Sequence, residues 1–123
     1  LRKEEIKQSV WEQLKGEVRG ALINKAKTRG IITYGELTNQ ITTMSFDFED
    51  PSHRDLIGQV LGEITEEEAA AGRGLLSSIV VHKHNDMEPG AGFFGLAEHL
   101  GYDTKDKTTC WAKAIKEVHK IWA

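Results

Sequence analysis

Apolar residues recur every four positions near the start of the chain: Ile6, Val10, Leu14, Val18 and Leu22, with Trp11 and Ala26 beside them. That spacing predicts an amphipathic helix over 3–28. Gly16 and Gly20 weaken it slightly, and Gly30 supplies a stop. Ile31 and Ile32 suit a short strand. Thr33 and Glu36 spell the T-x-x-E signature of a capping box, which predicts a short helix from Tyr34 to about Ile41. The stretch "TTMSFDFED" reads as extended and offers a third strand over 42–48. Asp50-Pro51 sets an N-cap and a first-turn proline before a helix from 51 to about 71. Its buried stripe is Leu56, Ile57, Val60, Leu61 and Ile64.

Gly72 and Gly74 break that helix. "LLSSIVVH" is short, β-branched and apolar at most positions, which predicts a strand over 75–82 buried on both faces. Residues 83–91 read as a loop. Gly92 or Phe93 then opens a helix that closes at Gly101, a C′ glycine. A last helix over 108–122 turns Trp111, Ile115, Val118 and Trp122 to one face, with Ala114 and Ile121 alongside. The pattern predicts an α+β, helix-dominated fold of about five helices and a small two- or three-stranded sheet, in one domain over 1–123. Helix, strand, two helices, then a strand and loop is also the order in which a winged helix opens.

Composition narrows the classes. The chain has 123 residues, 39% hydrophobic and 28% charged, with a formal net charge of −3. That charge gives no reason to expect a polyanionic or polycationic partner. Cys110 is the single cysteine, so no intrachain disulfide forms and a reducing cytoplasm fits. No apolar run approaches the roughly 20 residues that span a bilayer, and "LRKEEIKQSV" lacks a signal core. The expectation is a cytoplasmic protein away from membranes. The chain opens without methionine, which leaves room for residues upstream of Leu1.

Candidate chemistry gathers between Gly72 and Phe94. His82, His84, Asp86 and Glu88 alternate along the chain. On a continuing strand they would share one face and offer ligands to a divalent metal. "HNDMEPG" is rich in turn formers, and Pro89 ends any pairing. A solvated loop is therefore favoured and no metal or cofactor is expected, with His82 and His84 as the alternative ligand pair. "EPGAGFF" has no Walker or dinucleotide spacing. Its glycines precede a helix N-terminus, where free N–H groups can hold an anion. The competing reading gives Gly90 and Gly92 positive φ in a turn, with Phe93 and Phe94 plugging the core. Arg73 can meet a carboxylate or phosphate, or pair with Glu67 or Glu68. Ser77 and Ser78 read as small packing residues, and His53, His99 and His119 as scattered surface residues.

A recognition helix over 51–71 would carry Asp55, Glu63, Glu66, Glu67 and Glu68 against Arg54 alone, a poor match to phosphates. The basic residues lie in the first helix instead, among them Lys3, Lys7, Lys15 and Arg19. "GIITYGEL" resembles a phrase in the DNA-binding domain of DNA alkyltransferases, over about eight residues. That family's reactive cysteine sits in a Pro-Cys-His-Arg motif, whereas Cys110 here lies in "TTCWAK". The resemblance therefore implies a winged-helix-like arrangement without alkyl transfer. Over 31–122 the chain also resembles a group of small uncharacterised bacterial proteins through Ile32 to Leu37, Gly72 to Val81 and Pro89 to Phe94. That resemblance implies a fold and no activity. The expected function is a non-enzymatic binding or interaction domain, with a homodimer as one form. The alternatives are a small enzyme or metal- or anion-binding protein centred on the 82–94 loop, and a winged-helix-like nucleic-acid binder. The candidate site comprises Arg73, His82, Glu88, Gly90, Gly92 and Phe93.

Overall fold

The computed structural model describes residues 2–47, 49–83 and 89–123. Among these the order is α1 (Gln8–Lys27), β1 (Ile32–Thr33), α2 (Tyr34–Asn39), α3 (Pro51–Ala70), β2 (Val80–Val81), α4 (Ala91–His99) and α5 (Lys107–Trp122). The predicted α+β, helix-dominated class holds. No helix among the described residues is long and apolar enough to cross a membrane.

Local signals set the helix ends. Thr33 and Glu36 complete the capping box at the start of α2. The Asp50 carboxylate accepts the Ser52 N–H at 2.9 Å ahead of Pro51. Asp106 accepts the Thr109 N–H at 3.1 Å at the start of α5. Gly72 (φ 76°) and Gly74 (φ 82°) take left-handed backbone where α3 stops.

The main core packs α1 against α3. Trp11, Leu14, Val18 and Leu22 meet Leu56, Ile57, Val60, Leu61 and Ile64, and all nine are buried. A smaller cluster joins α4 to α5 through Leu75, Phe93, Ala97, Cys110 and Ala114. On α5 the buried stripe is Cys110, Ala114 and Val118. Trp111, Ile115 and Trp122 flank it half-buried, and Ile121 is exposed.

Two expectations are corrected. The strand over 75–82 is mostly a 3-10 turn, Leu76–Ile79, followed by the two-residue strand Val80–Val81 and a single bridge residue, His82. Val80 and Val81 pair in parallel with β1, Ile32 opposite Val80 and Thr33 opposite Val81. The pairing stops there because Thr33 caps α2 and turns the chain away. The third strand over 42–48 does not form among the described residues. The Glu17 carboxylate takes the Thr42 and Thr43 N–H groups, at 2.7 and 2.8 Å, and both hydroxyls as well. These bonds, led by the Thr42 N–H, hold the Glu17 carboxyl below its ordinary pKa.

Charge ties α1 to α3. Lys3 and Lys15 reach Glu63 at 2.7 and 3.5 Å, and Lys15 reaches Glu67 at 2.6 Å. Arg19 pairs with Glu67 and lies 3.2 Å from Glu68, which also pairs with Arg73. Burial opposes the Lys15 charge, but the bond and charge of Glu67 outweigh it and raise the ammonium's pKa. The same ions occupy the acidic end of α3 and three of the cations a nucleic-acid surface would use, Lys3 ahead of α1 and Lys15 and Arg19 on it. Two histidines expected at the surface are half-buried instead. His119 Nε2 lies 2.9 Å from the Gly30 carbonyl, fixing α5 to the end of α1. His53 Nδ1 accepts the Asp47 N–H at 2.8 Å.

Candidate functional site

The two-residue sheet builds the site. With Thr33 opposite Val81, the next residues on the two strands, Tyr34 and His82, emerge side by side. Their rings stack with centroids 4.4 Å apart and planes 20° from parallel. Burial raises the Tyr34 pKa above its ordinary value, so the phenol keeps its proton at neutral pH.

Gly90 closes over this pair. A Cβ there would sit 2.9 Å from His82 Nε2 and 3.9 Å from the Tyr34 hydroxyl. The glycine is needed for close approach and not for positive φ, since its φ is −70°. The expected left-handed turn at Gly90 and Gly92 is thereby corrected, because Gly92 lies inside α4. Gly90→Ala is expected to push the His82 ring out of its stack and to cost about 1–2 kcal/mol. Proton NMR of the His82 imidazole tests this, and unchanged ring shifts in the variant would contradict it.

Beside the ring pair opens a cleft of about 1030 Å³. One wall is the start of α2, with Thr33, Tyr34 and Gly35. A second is the face of α3 that carries Asp55, Gly58, Gln59 and Gly62, residues three and four apart on one side of a helix. Ser77, Val80, His82 and Lys83 come from the segment around β2, and Pro89, Gly90, Gly92, Phe93 and Leu96 from α4 and its approach. Ile57, Leu61 and Arg54 complete the lining.

Four of the residues singled out in the sequence, His82, Gly90, Gly92 and Phe93, thus meet in one cleft. Arg73 does not join them. It pairs with Glu68 at the end of α3, and that carboxylate raises the guanidinium's pKa further. Glu88, His84 and Asp86 lie outside the described residues. Among the described residues no group of three or more His, Cys, Asp or Glu could hold a metal ion. Cys110 is buried on α5, and burial pushes its thiol pKa up.

Ser77 and Ser78 sit in the 3-10 turn and not in a strand. The Ser77 N–H bonds to Thr65 Oγ1 at 3.3 Å, which fixes the turn to α3. The Trp111 indole N–H bonds to the Ser78 carbonyl at 2.8 Å, which fixes it to α5. The Ser78 hydroxyl is fully buried and has no partner among the described residues.

Three contributors escaped sequence reasoning. Tyr34 reads in the sequence only as the start of a short helix, and the parallel register is what shows that it faces His82. Gly58 and Gly62 lie inside a helix whose apolar stripe draws attention to the opposite side. Their signal is a cost: each glycine weakens a helix interior by about 1 kcal/mol relative to alanine. Among the described residues, no atom beyond the adjacent residues and the helix's own backbone lies within 4 Å of where their Cβ atoms would stand, so packing there does not ask for glycine at either position. No known protein family, curated protein or solved structure matches the chain.

Proposed function

We propose that this protein is a non-enzymatic binding domain that takes a small organic ligand in the cleft between α2, α3 and α4. The observation that carries the reading is the cleft itself. At about 1030 Å³ it is at the upper end of the range for small-molecule sites, and its lining mixes apolar side chains with a few polar groups. An aromatic pair forms one side, and α3 presents backbone without side chains at Gly58 and Gly62 on another. Acid–base catalysis finds less support, because Arg73 lies away from His82 and pairs with Glu68.

The test fills the cleft from α3. Gly58→Leu and Gly62→Leu place side chains into open space on a helix, where leucine is favoured over glycine by up to about 1 kcal/mol per site. Both variants are expected to fold with unchanged or higher thermal stability. Ligands that stabilise the wild-type chain in a thermal-shift screen of small organic compounds are expected to lose at least tenfold in affinity for the variants. Ligands that bind the leucine variants as well as wild type, or a screen in which no compound binds, would remove the proposal.

A further inference from the structure

We infer that the protein has a second binding surface, a basic patch where α5 meets the end of α1, and that this patch docks on the phosphate backbone of double-stranded DNA without reading its sequence. None of the patch side chains lines the cleft, so the two readings are tested separately.

The net charge of −3 conceals an uneven distribution. Ion pairs with α3 neutralise Lys3, Lys15 and Arg19. Further along the chain, Lys25, Lys27 and Arg29 at the end of α1 have no ion-pair partner among the described residues, and neither have Lys113, Lys116 and Lys120 on α5. The three α5 lysines fall within about 60° of one another around the helix. All of these cations are exposed except Lys25, which is half-buried. The contact between His119 and the Gly30 carbonyl, 2.9 Å, brings the two groups together. Lys25 lies against Gly30 as well, where a Cβ would meet its Cδ at 2.9 Å. Two carboxylates border the patch, Glu36 bonded to Thr33 and Glu117 to the Tyr102 hydroxyl, and the cations outnumber them.

The backbone adds a second observation. The Gly30 N–H bonds to the Lys25 carbonyl and the Arg29 N–H to the Ala26 carbonyl, at 3.1 and 3.0 Å, the two bonds of a Schellman turn. The left-handed residue of such a turn is usually glycine, and here it is Arg29, at φ 57°. The chain keeps a cation where glycine is easier.

The make-up of the patch selects its partner. Clustered positive charge supplies the part of duplex binding that ignores sequence. A bilayer is a poorer match, because α5 turns Cys110, Ala114 and Val118 inward and Ile121 is the one large apolar residue exposed among the described residues. A single strand needs aromatic rings on which to stack its bases, and Trp111 and Trp122 are half-buried against the core. Specific protein interfaces are depleted in lysine and centre on buried anchors. The remainder of the chain is acidic, which steers a polyanion to this side alone.

The experiment titrates a labelled DNA duplex of about 20 base pairs with the full chain and reads fluorescence anisotropy. Micromolar binding is expected at about 50 mM salt, alike for two unrelated sequences, with log K falling against log salt at a slope of about −4. Lys116→Gln/Lys120→Gln should weaken binding about tenfold and reduce the slope by about 2. Arg2→Gln/Lys7→Gln removes the same charge near the start of α1, about 30 Å from its end, and should change affinity less than about twofold. Arg29→Gly should weaken binding about threefold and raise the melting temperature by about 4 °C, opposite shifts that misfolding does not produce. The inference is overturned if no duplex binds at low salt. Equal losses in the two double variants overturn it too, since binding would then follow overall charge and not the patch. Tighter binding to a single strand, to duplex RNA or to phosphatidylserine vesicles at the same salt would overturn the choice of partner.

Discussion

Trp11→Ala is expected to destabilise the protein by about 3–5 kcal/mol, the usual result of emptying a large buried aromatic site. Trp11 is 1% exposed at the centre of the α1–α3 contact. It also links the core to the charged rim. Its indole N–H donates to Glu63 Oε1 at 3.2 Å, and the Lys3 ammonium stands 4.9 Å from the ring centroid. Alanine removes the apolar volume, the hydrogen bond and the cation's platform together. Trp11→Phe separates them. It keeps most of the burial, and Glu63 retains Lys3 and Lys15. It should therefore cost only about 1–2 kcal/mol. Urea unfolding followed by circular dichroism reads both values, and an alanine variant within about 1 kcal/mol of wild type would contradict the central place given to this residue.

The helices were legible because their signals are local. A capping box, an Asp-Pro start and a four-residue apolar repeat each depend on neighbours in sequence, and all three are present in the structure. The segment 75–82 was misread because its apolar character comes from its surroundings. It passes between α1, α3 and α5, so every side of it is buried. A short run buried all round carries no periodicity by which a strand can be told from a helical turn. The expected strand over 42–48 failed for a different reason: Glu17, about 25 residues earlier, claims the Thr42 and Thr43 N–H groups.

The candidate site was half legible. Glycines before an aromatic pair marked the α4 end, and His82 marked the β2 end. Their meeting with Tyr34 depends on a two-residue parallel register, which no local pattern encodes. At Gly90 the sequence suggests backbone freedom, whereas the structure shows an imidazole packed where a Cβ would be. The acidic "EITEEE" stretch carries the same lesson. Read along the chain it is a repelling charge run, but in the fold Glu63, Glu67 and Glu68 face the cations of α1.

Glu68 gives the second large expected effect. Its side chain is 2% exposed, on the α3 face that buries Leu61 and Ile64, while Arg19 and Arg73 are 31% and 47% exposed. A buried carboxylate with partly solvated partners can stabilise through its ion pairs or merely tolerate its own desolvation. Three substitutions distinguish these cases. Glu68→Ala loses both the pairs and the packing and is expected to cost about 2–4 kcal/mol. Glu68→Gln keeps the shape but not the charge and should cost about 1–2 kcal/mol, a reduced figure because solvent screens the two arginines. Glu68→Met fills the site with apolar volume and is expected to lie within about 1 kcal/mol of wild type. Arg19 keeps Glu67 as a partner in every variant, so none leaves it without an anion. Denaturant midpoints in the order wild type, Met, Gln, Ala would show that packing at this position outweighs its charge. A methionine variant as weak as alanine would instead make the Arg19–Glu68–Arg73 contact a net source of stability and overturn the predicted order.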